Sequence, residues 1–249
     1  MEIAIIGYGR MGHEIERLAV QRGHRVGSII DPAAEGALFK EIIAESLEGV
    51  DVAIEFTGPN TAVANIEKVA ALGVNMVVGT TGWSDEVKKV KKIVEDAGTG
   101  LVYAPNFSVG INIFYEIVKQ ASRIFNKLDD YDVLCHEWHH KGKVDSPSGT
   151  ARKIADAVVS EMSRKDSPVY ECLNRRREDG ELHVSSTRGG WVPGTHEVVF
   201  DSEFDSVELT HRARGRGALA AGALQAAQWI KGRKGFFEFG DFLRERLGL

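Results

Sequence analysis

The sequence predicts an α/β protein in two parts: a doubly wound parallel sheet covered by helices, and an α+β part whose sheet is mostly antiparallel. Three observations predict it. Up to Pro105 short Val/Ile-rich runs alternate with amphipathic stretches, a glycine-rich turn joins the first run to the first such stretch, and beyond residue 181 strand-like runs follow one another directly.

In the first part EIAIIG, RVGSII, VDVAIEF, VNMVVG and GLVYAP read as strands, separated by helical segments at Gly9–Arg22, Asn60–Leu72 and Ser84–Ala97. Nearly continuous apolar runs suit strands buried on both faces, which is the condition of a parallel sheet between helices. Ser84, followed by Asp85 and Glu86, is expected to cap the third helix and to place acids in its electropositive first turn.

After Pro105 the rhythm changes, and a second domain is expected over 108–216. An amphipathic stretch, Ser108–Phe125, leads to the strand-like YDVLCHEW, a loop, and a helix from about Ser148 to Ser163. Residues 182–188, 195–201 and 206–212 then read as successive antiparallel strands, with turn signals at Gly189-Gly190, Pro193-Gly194 and Asp201–Asp205. The chain returns to helix at the end, in ALAAGALQAAQWI and FGDFLRERLGL, and this 217–249 tail is expected to complete the first domain, residues 1–107. A hinge near Phe107 and Arg216 would suit a protein of two such parts.

At 249 residues and 43% hydrophobic composition the chain can bury a large core. The net charge of −5 and the pI near 5.9 argue against nucleic acid or a membrane surface as partner, because both need a basic field. No apolar run approaches the roughly 20 residues of a membrane span, and the chain starts on a strand instead of a leader, so a cytoplasmic protein is expected. Cys135 and Cys172 lie in no metal-ligand or CxxC spacing and read as structural thiols.

Gly7-Tyr8-Gly9-Arg10-Met11-Gly12 is a GxGxxG that follows a strand and opens a helix, the setting in which the motif binds a dinucleotide. Gly7 permits the tight turn, Gly9 lets backbone approach a pyrophosphate, and Gly12 allows close helix–sheet packing. The first part is therefore expected to be Rossmann-type. Asp31, ending the second strand, is placed to accept hydrogen bonds from the adenine ribose, although a turn-forming role before Pro32 accounts for it too. An acid there repels a 2′-phosphate, and Pro32, Ala33, Ala34 and Glu35 offer no arginine, so NADH is expected to be preferred, with NADPH possible. Gly79-Thr80-Thr81-Gly82 and Ala104-Pro105-Asn106-Phe107 close the fourth and fifth strands, at the edge where open α/β sheets bind ligands.

Residues 136–151, HEWHHKGKVDSPSGTA, carry the densest chemistry. His136-Glu137-Trp138-His139-His140 matches the HExxH of zinc proteases, but that motif needs a helix. On a strand, His136 and His140 would stand about 13 Å apart and could not chelate one ion, so no metal is expected. A solvated loop of surface histidines is the bland alternative. Against it, Lys141 and Lys143 raise the positive potential, and Ser148-Gly149-Thr150 at a helix start offer donors for a carboxylate. The segment thus combines an anion clamp with a candidate acid. The ammonium groups should depress a histidine pKa and a bound dicarboxylate should raise it, which would couple protonation to substrate binding.

Taken together, GYGRMG, GTTG, APNFSVG and EWHHKGKVDSPSGTA resemble the dihydrodipicolinate (4-hydroxy-tetrahydrodipicolinate) reductases, over the whole chain. The resemblance implies a Rossmann domain completed by C-terminal helices, a central substrate domain whose sheet builds a homotetramer, and NAD(P)H-dependent reduction of a cyclic dicarboxylate in diaminopimelate and lysine biosynthesis. It implies that His139 is the proton donor and Lys143 a second donor, and that His140, Gly149 and Thr150 hold the carboxylates, a cradle to which the helix-start reading adds Ser148. It places Gly7, Tyr8, Gly9, Arg10, Met11, Gly12, Asp31, Gly79, Thr80, Thr81, Ala104, Pro105, Asn106 and Phe107 on the cofactor. Two departures bear on cofactor preference: the glycine loop is shorter than the family's G-x-x-G-R-M-G, and the stretch from Asp31 to Val50 is abbreviated. A dehydrogenase for an amino or imino dicarboxylic acid, and a non-catalytic NADH sensor, are the competing readings.

Overall fold

The structure, a computed structural model, describes residues 1–248. Residue contacts divide it into two compact units, Met1–Val109 with Arg216–Leu249, and Gly110–Gly215.

The first unit is built on a six-stranded, all-parallel sheet. Its strands are β1 (Glu2–Ile6), β2 (Arg25–Ile30), β3 (Val52–Glu55), β4 (Asn75–Val78), β5 (Gly100–Tyr103) and β11 (Gly235–Glu238), in the order β11-β5-β4-β3-β1-β2. Side chains alternate across it, as the period of two demands. Ile3, Ile5, Val52 and Ile54 enter one core with α1 (Arg10–Gln21), α6 (Gly217–Ile230) and α7 (Phe239–Leu247). Ala4, Ile6, Ala53 and Met76 enter another, with α2 (Pro59–Ala71) and α3 (Val87–Ala97).

The tail adds more than helix. β11 pairs with β5 and forms an edge of the sheet, a strand the sequence reading missed; of the expected final helix, Leu249 lies outside the described residues. The expected cap at Ser84 is also corrected. Residues Ser84–Glu86 form a separate 3₁₀ turn, and α3 starts after it at Val87 with no side-chain cap.

The second unit packs α4 (Val109–Phe125) and α5 (Gly149–Glu161) on one face of a five-stranded sheet. Its strands are β6 (Asp132–His139), β7 (Ser167–Val169), β8 (Glu181–Arg188), β9 (Thr195–Asp201) and β10 (Ser206–Arg212), in the order β10-β9-β6-β8-β7. The expectation of successive antiparallel strands holds for β9 and β10 but not for β8 and β9. β6 lies between that pair, antiparallel to β9 and parallel to β8, and β7 runs parallel to β8 at the edge. The sheet is therefore mixed, and β6, which carries the histidine segment, is its central strand.

Candidate active site

Strand register turns the inner face of the second sheet from apolar to polar along its length. On β6 the helix-facing residues are Val133, Cys135, Glu137 and His139, all buried. Val133 pairs with Phe200, and Cys135 with Val198 and Val184, which makes a hydrophobic floor. Burial pushes the Cys135 thiol up to about 12, consistent with a structural role. The next position pairs Glu137 with His196 on β9 and Ser186 on β8, and His196 pairs in turn with His211 on β10. His139 pairs with Arg188. A polar row thus crosses four strands directly above the core.

Glu137 is the hub of that row. It is 0% exposed, and sequence reasoning did not single it out as a site residue. Its Oε1 accepts from the Ser148 amide at 2.8 Å, Ser186 Oγ at 2.9 Å and the Arg188 guanidinium at 2.7 Å, and its Oε2 accepts from Ser148 Oγ. His139 Nδ1 lies 3.2 Å and His196 Nε2 3.5 Å from Oε2. Burial alone would raise the Glu137 carboxyl, but bonds with His139, His196, Ser148 and Arg188 outweigh it and hold the group far below the usual carboxylate range. His196 is shifted down, by burial first, against the pull of Glu137.

Glu137, His139 and His196 place three potential metal-ligand atoms within 4.8 Å of one another. The chemistry of the donors favours a hydrogen-bonded network over an ion. The carboxylate already accepts from a guanidinium, an amide and two hydroxyls, and the Arg188 charge beside it repels a cation. β6 runs as strand through His139, so the helix required by an HExxH zinc site is not formed.

The loop after β6 is tied back to this hub. Lys143 Nζ pairs with Asp145 Oδ1 at 2.7 Å, and that bond, with the lysine charge, holds the Asp145 carboxyl below its ordinary value. The same Arg188 guanidinium that reaches Glu137 also donates to the Asp145 carbonyl at 2.6 Å, so the loop and the strand share one cation. Lys141 turns away, over the exposed Trp191 ring. His140, just past the end of β6, is partly exposed.

Ser148 needs correcting as a substrate contact. It is the N-cap of α5, its Oγ accepting from the Ala151 amide at 3.1 Å, while both its own N–H and its hydroxyl proton go to Glu137. Buried and fully engaged, it has no donor left for a ligand. Gly149 is exposed and Thr150 partly so; both stand at the helix N-terminus, where N–H groups and the dipole favour an anion.

In the first unit the glycines fit their expected uses. Gly7 has φ +91° and a Cβ there would stand 2.2 Å from the Phe56 carbonyl oxygen; at Gly12 it would stand 2.4 Å from that of Gly7. Gly9 has open space where a Cβ would be, which leaves backbone accessible to a phosphate at the start of α1. Asp31 Oδ2 accepts from the Tyr8 amide at 2.8 Å, and Oδ1 from Ala33 at 2.9 Å and Ala34 at 2.8 Å. Burial opposes its ionisation, but these amides and the charge of Lys40 prevail and hold it below the ordinary value. The turn-forming role is thus real, and an ionised carboxylate has further lone pairs for a ribose. Lys40, donating to the Ala34 carbonyl at 3.1 Å, is a cation beside this turn that sequence reasoning overlooked.

The other expected cofactor residues divide. Thr80 Oγ accepts from the Thr57 amide, Asn106 Oδ1 accepts from the Ser108 amide, and Thr81 and Pro105 are exposed. Gly79 sits against the Phe56 ring, and Ala104 is buried. Phe107 is a core residue, packed on Phe56 and Phe239, with its carbonyl against Gly222. Tyr8 binds Glu16 and packs at a tilt against the His13 ring, Arg10 is exposed, and Met11 leans on the core. The glycines, the open helix start and the acid at the second strand's end fit a dinucleotide.

Comparison with known proteins agrees over both units. Residues 1–107 match the family model described as dihydrodipicolinate reductase, N-terminus, and residues 110–243 match that for the C-terminus. A 4-hydroxy-tetrahydrodipicolinate reductase of Christiangramia forsetii is 34% identical over 98% of both chains, and one of Methanoculleus marisnigri is 38% identical over 91% of both. Among solved structures, a dipicolinate-bound dihydrodipicolinate reductase from Paenisporosarcina sp. TG-14 superimposes with a TM-score of 0.78, at 23% identity, covering 96% of this chain and 97% of that one.

Proposed function

The chain belongs to the dihydrodipicolinate reductase family, and on that premise we propose that His139 is the acid with which it reduces 4-hydroxy-tetrahydrodipicolinate to tetrahydrodipicolinate in diaminopimelate and lysine biosynthesis. The observation that carries the assignment is the buried Glu137–His139 contact on the central strand, beside the anion-binding start of α5. A nicotinamide nucleotide is the cofactor; when bound, it supplies the hydride. Gly7 to Gly12 and Asp31 would hold its pyrophosphate and adenine ribose, and the turns at Gly79–Thr81 and Ala104–Asn106 would lie toward its reactive end.

His139 would hand its proton to the position where electron density collects as hydride arrives at a carbon conjugated to C=N. Lys143, oriented by Asp145, would donate to and polarise the substrate. Gly149 and Thr150 with His140 would bind the carboxylates, while Ser148 contributes by fixing α5 to Glu137.

NADH is proposed as the preferred nucleotide, because an ionised Asp31 repels a 2′-phosphate and the Lys40 ammonium is engaged by the Ala34 carbonyl. A homotetramer is proposed through the second sheet, supported by Leu134, which is 44% exposed on the central strand's face away from α4 and α5. Among the described residues no helix is long and apolar enough to cross a membrane.

The test follows NADH and NADPH oxidation on freshly prepared 4-hydroxy-tetrahydrodipicolinate and on a panel of amino and imino dicarboxylic acids. Turnover confined to the cyclic substrate is expected, with the lower KM for NADH. Turnover on an acyclic substrate alone, or binding of NADH without turnover, would overturn the activity; a lower KM for NADPH would overturn only the cofactor preference.

A further inference from the structure

We infer that Glu137 is the positioning residue for His139: its carboxylate takes the Nδ1–H, fixes the ring, and leaves Nε2 as the atom that gives the proton to substrate. The inference rests on His139 being the acid.

Two observations beyond proximity carry it. His139 Nδ1 is buried and makes no well-aligned hydrogen bond, and Glu137 Oε2, 3.2 Å away, is the group it faces. A buried ring N–H costs stability unless it is paired, so that carboxylate decides which nitrogen keeps a proton. The other ring nitrogen, Nε2, lies beside Gly194, where a Cβ would stand 2.9 Å from it, so only a glycine leaves that nitrogen the space a side chain would take. One nitrogen thus faces a fixed carboxylate, and the other has beside it the space that Gly194 leaves.

The proton count follows. The charged imidazolium carries N–H at both nitrogens. On reduction the Nε2–H bond breaks, its electron pair stays on nitrogen and its proton goes to the substrate, leaving a neutral ring with the proton on Nδ1 against Glu137. Solvent then restores the proton on Nε2.

The groups against this ring are Glu137 on its own strand and His196 on β9; Arg188, paired with His139 in register on β8, binds Glu137, and the Lys143 charge acts on His196. Arg188 and Ser148 keep Glu137 ionised and immobile, so the anion is in place before substrate binds. That preorganisation separates positioning from mere attachment of α5 to β6.

The test is Glu137→Gln, which keeps the side chain's shape. A positioning role predicts that kcat falls by about 10² or more with KM changed less than about threefold, and that the high-pH limb of the kcat profile moves down by about one pH unit, because the imidazolium loses its counter-charge. A structural role alone would lower Tm and leave the pH limb in place. Because the variant risks misfolding, the wild-type enzyme supplies a second readout: ¹⁵N NMR of neutral His139 should find the proton on Nδ1. The Nε2–H tautomer, or an unmoved limb in folded Glu137→Gln, overturns the inference. If His139→Ala keeps full turnover, the assignment of the acid fails instead.

Discussion

Gly194→Ala probes the site without touching a charged group. The new Cβ would stand 2.9 Å from His139 Nε2 and 3.3 Å from Cδ2, about half an ångström or more inside ordinary carbon contact. The ring has no room to recoil, because its other nitrogen already lies 3.2 Å from the buried Glu137 carboxylate. Gly194 also has φ +152°, a backbone angle that an L-residue takes up only under strain of about 1–3 kcal/mol. Either the 194 loop moves or the imidazole turns. A displacement approaching 1 Å at a proton donor costs about 10²-fold in rate. Steady-state assays should therefore record kcat lowered by roughly 10–100-fold, with NADH affinity unchanged, together with a Tm lowered by several degrees in thermal denaturation. A folded Gly194→Ala enzyme with wild-type kcat would refute the placement of His139 Nε2.

Ser148→Ala removes a helix cap worth about 1 kcal/mol and a hydroxyl donor to a buried carboxylate, so a loss of about 2–4 kcal/mol is expected in denaturant titration; a loss under 1 kcal/mol would contradict its role as anchor of α5. Glu55, ending β3, is fully buried, and burial raises its carboxyl against bonds from Thr57, Thr80 and Asn65. The unfolded chain ionises it near about 4.3, while the folded chain keeps the proton to higher pH. The native state therefore binds more protons above that value, and stability falls as pH rises through the folded pKa. Glu55→Gln should gain stability relative to wild type between pH 4 and pH 7, and a Tm difference independent of pH would contradict this.

The parallel sheet was legible because its strands bury both faces and alternate with helices, a local pattern. β11 was not: its four residues, Gly235–Glu238, follow a basic turn, and only pairing with β5 makes them a strand. The separation of β8 from β9 is hidden for the opposite reason. Consecutive strands usually pair, but here β6, far earlier in the chain, lies between them. In the site, His139 and Lys143 were visible as motif residues. The hub was hidden, because the meeting of Glu137 with Ser148, Ser186, Arg188 and His196 depends on register across three strands. One signal was available: Glu137 stands two residues before His139 on a strand, and so shares its buried face. Ser148 reads from the sequence as part of a helix start with a hydroxyl for a ligand, whereas the fold gives that hydroxyl to Glu137.

The most direct test of His139 as the acid compares wild type with His139→Ala under saturating NADH on freshly prepared 4-hydroxy-tetrahydrodipicolinate. Loss of the acid predicts kcat lower by about 10²–10⁴-fold with NADH binding intact. A folded variant that turns over at the wild-type rate would contradict the account.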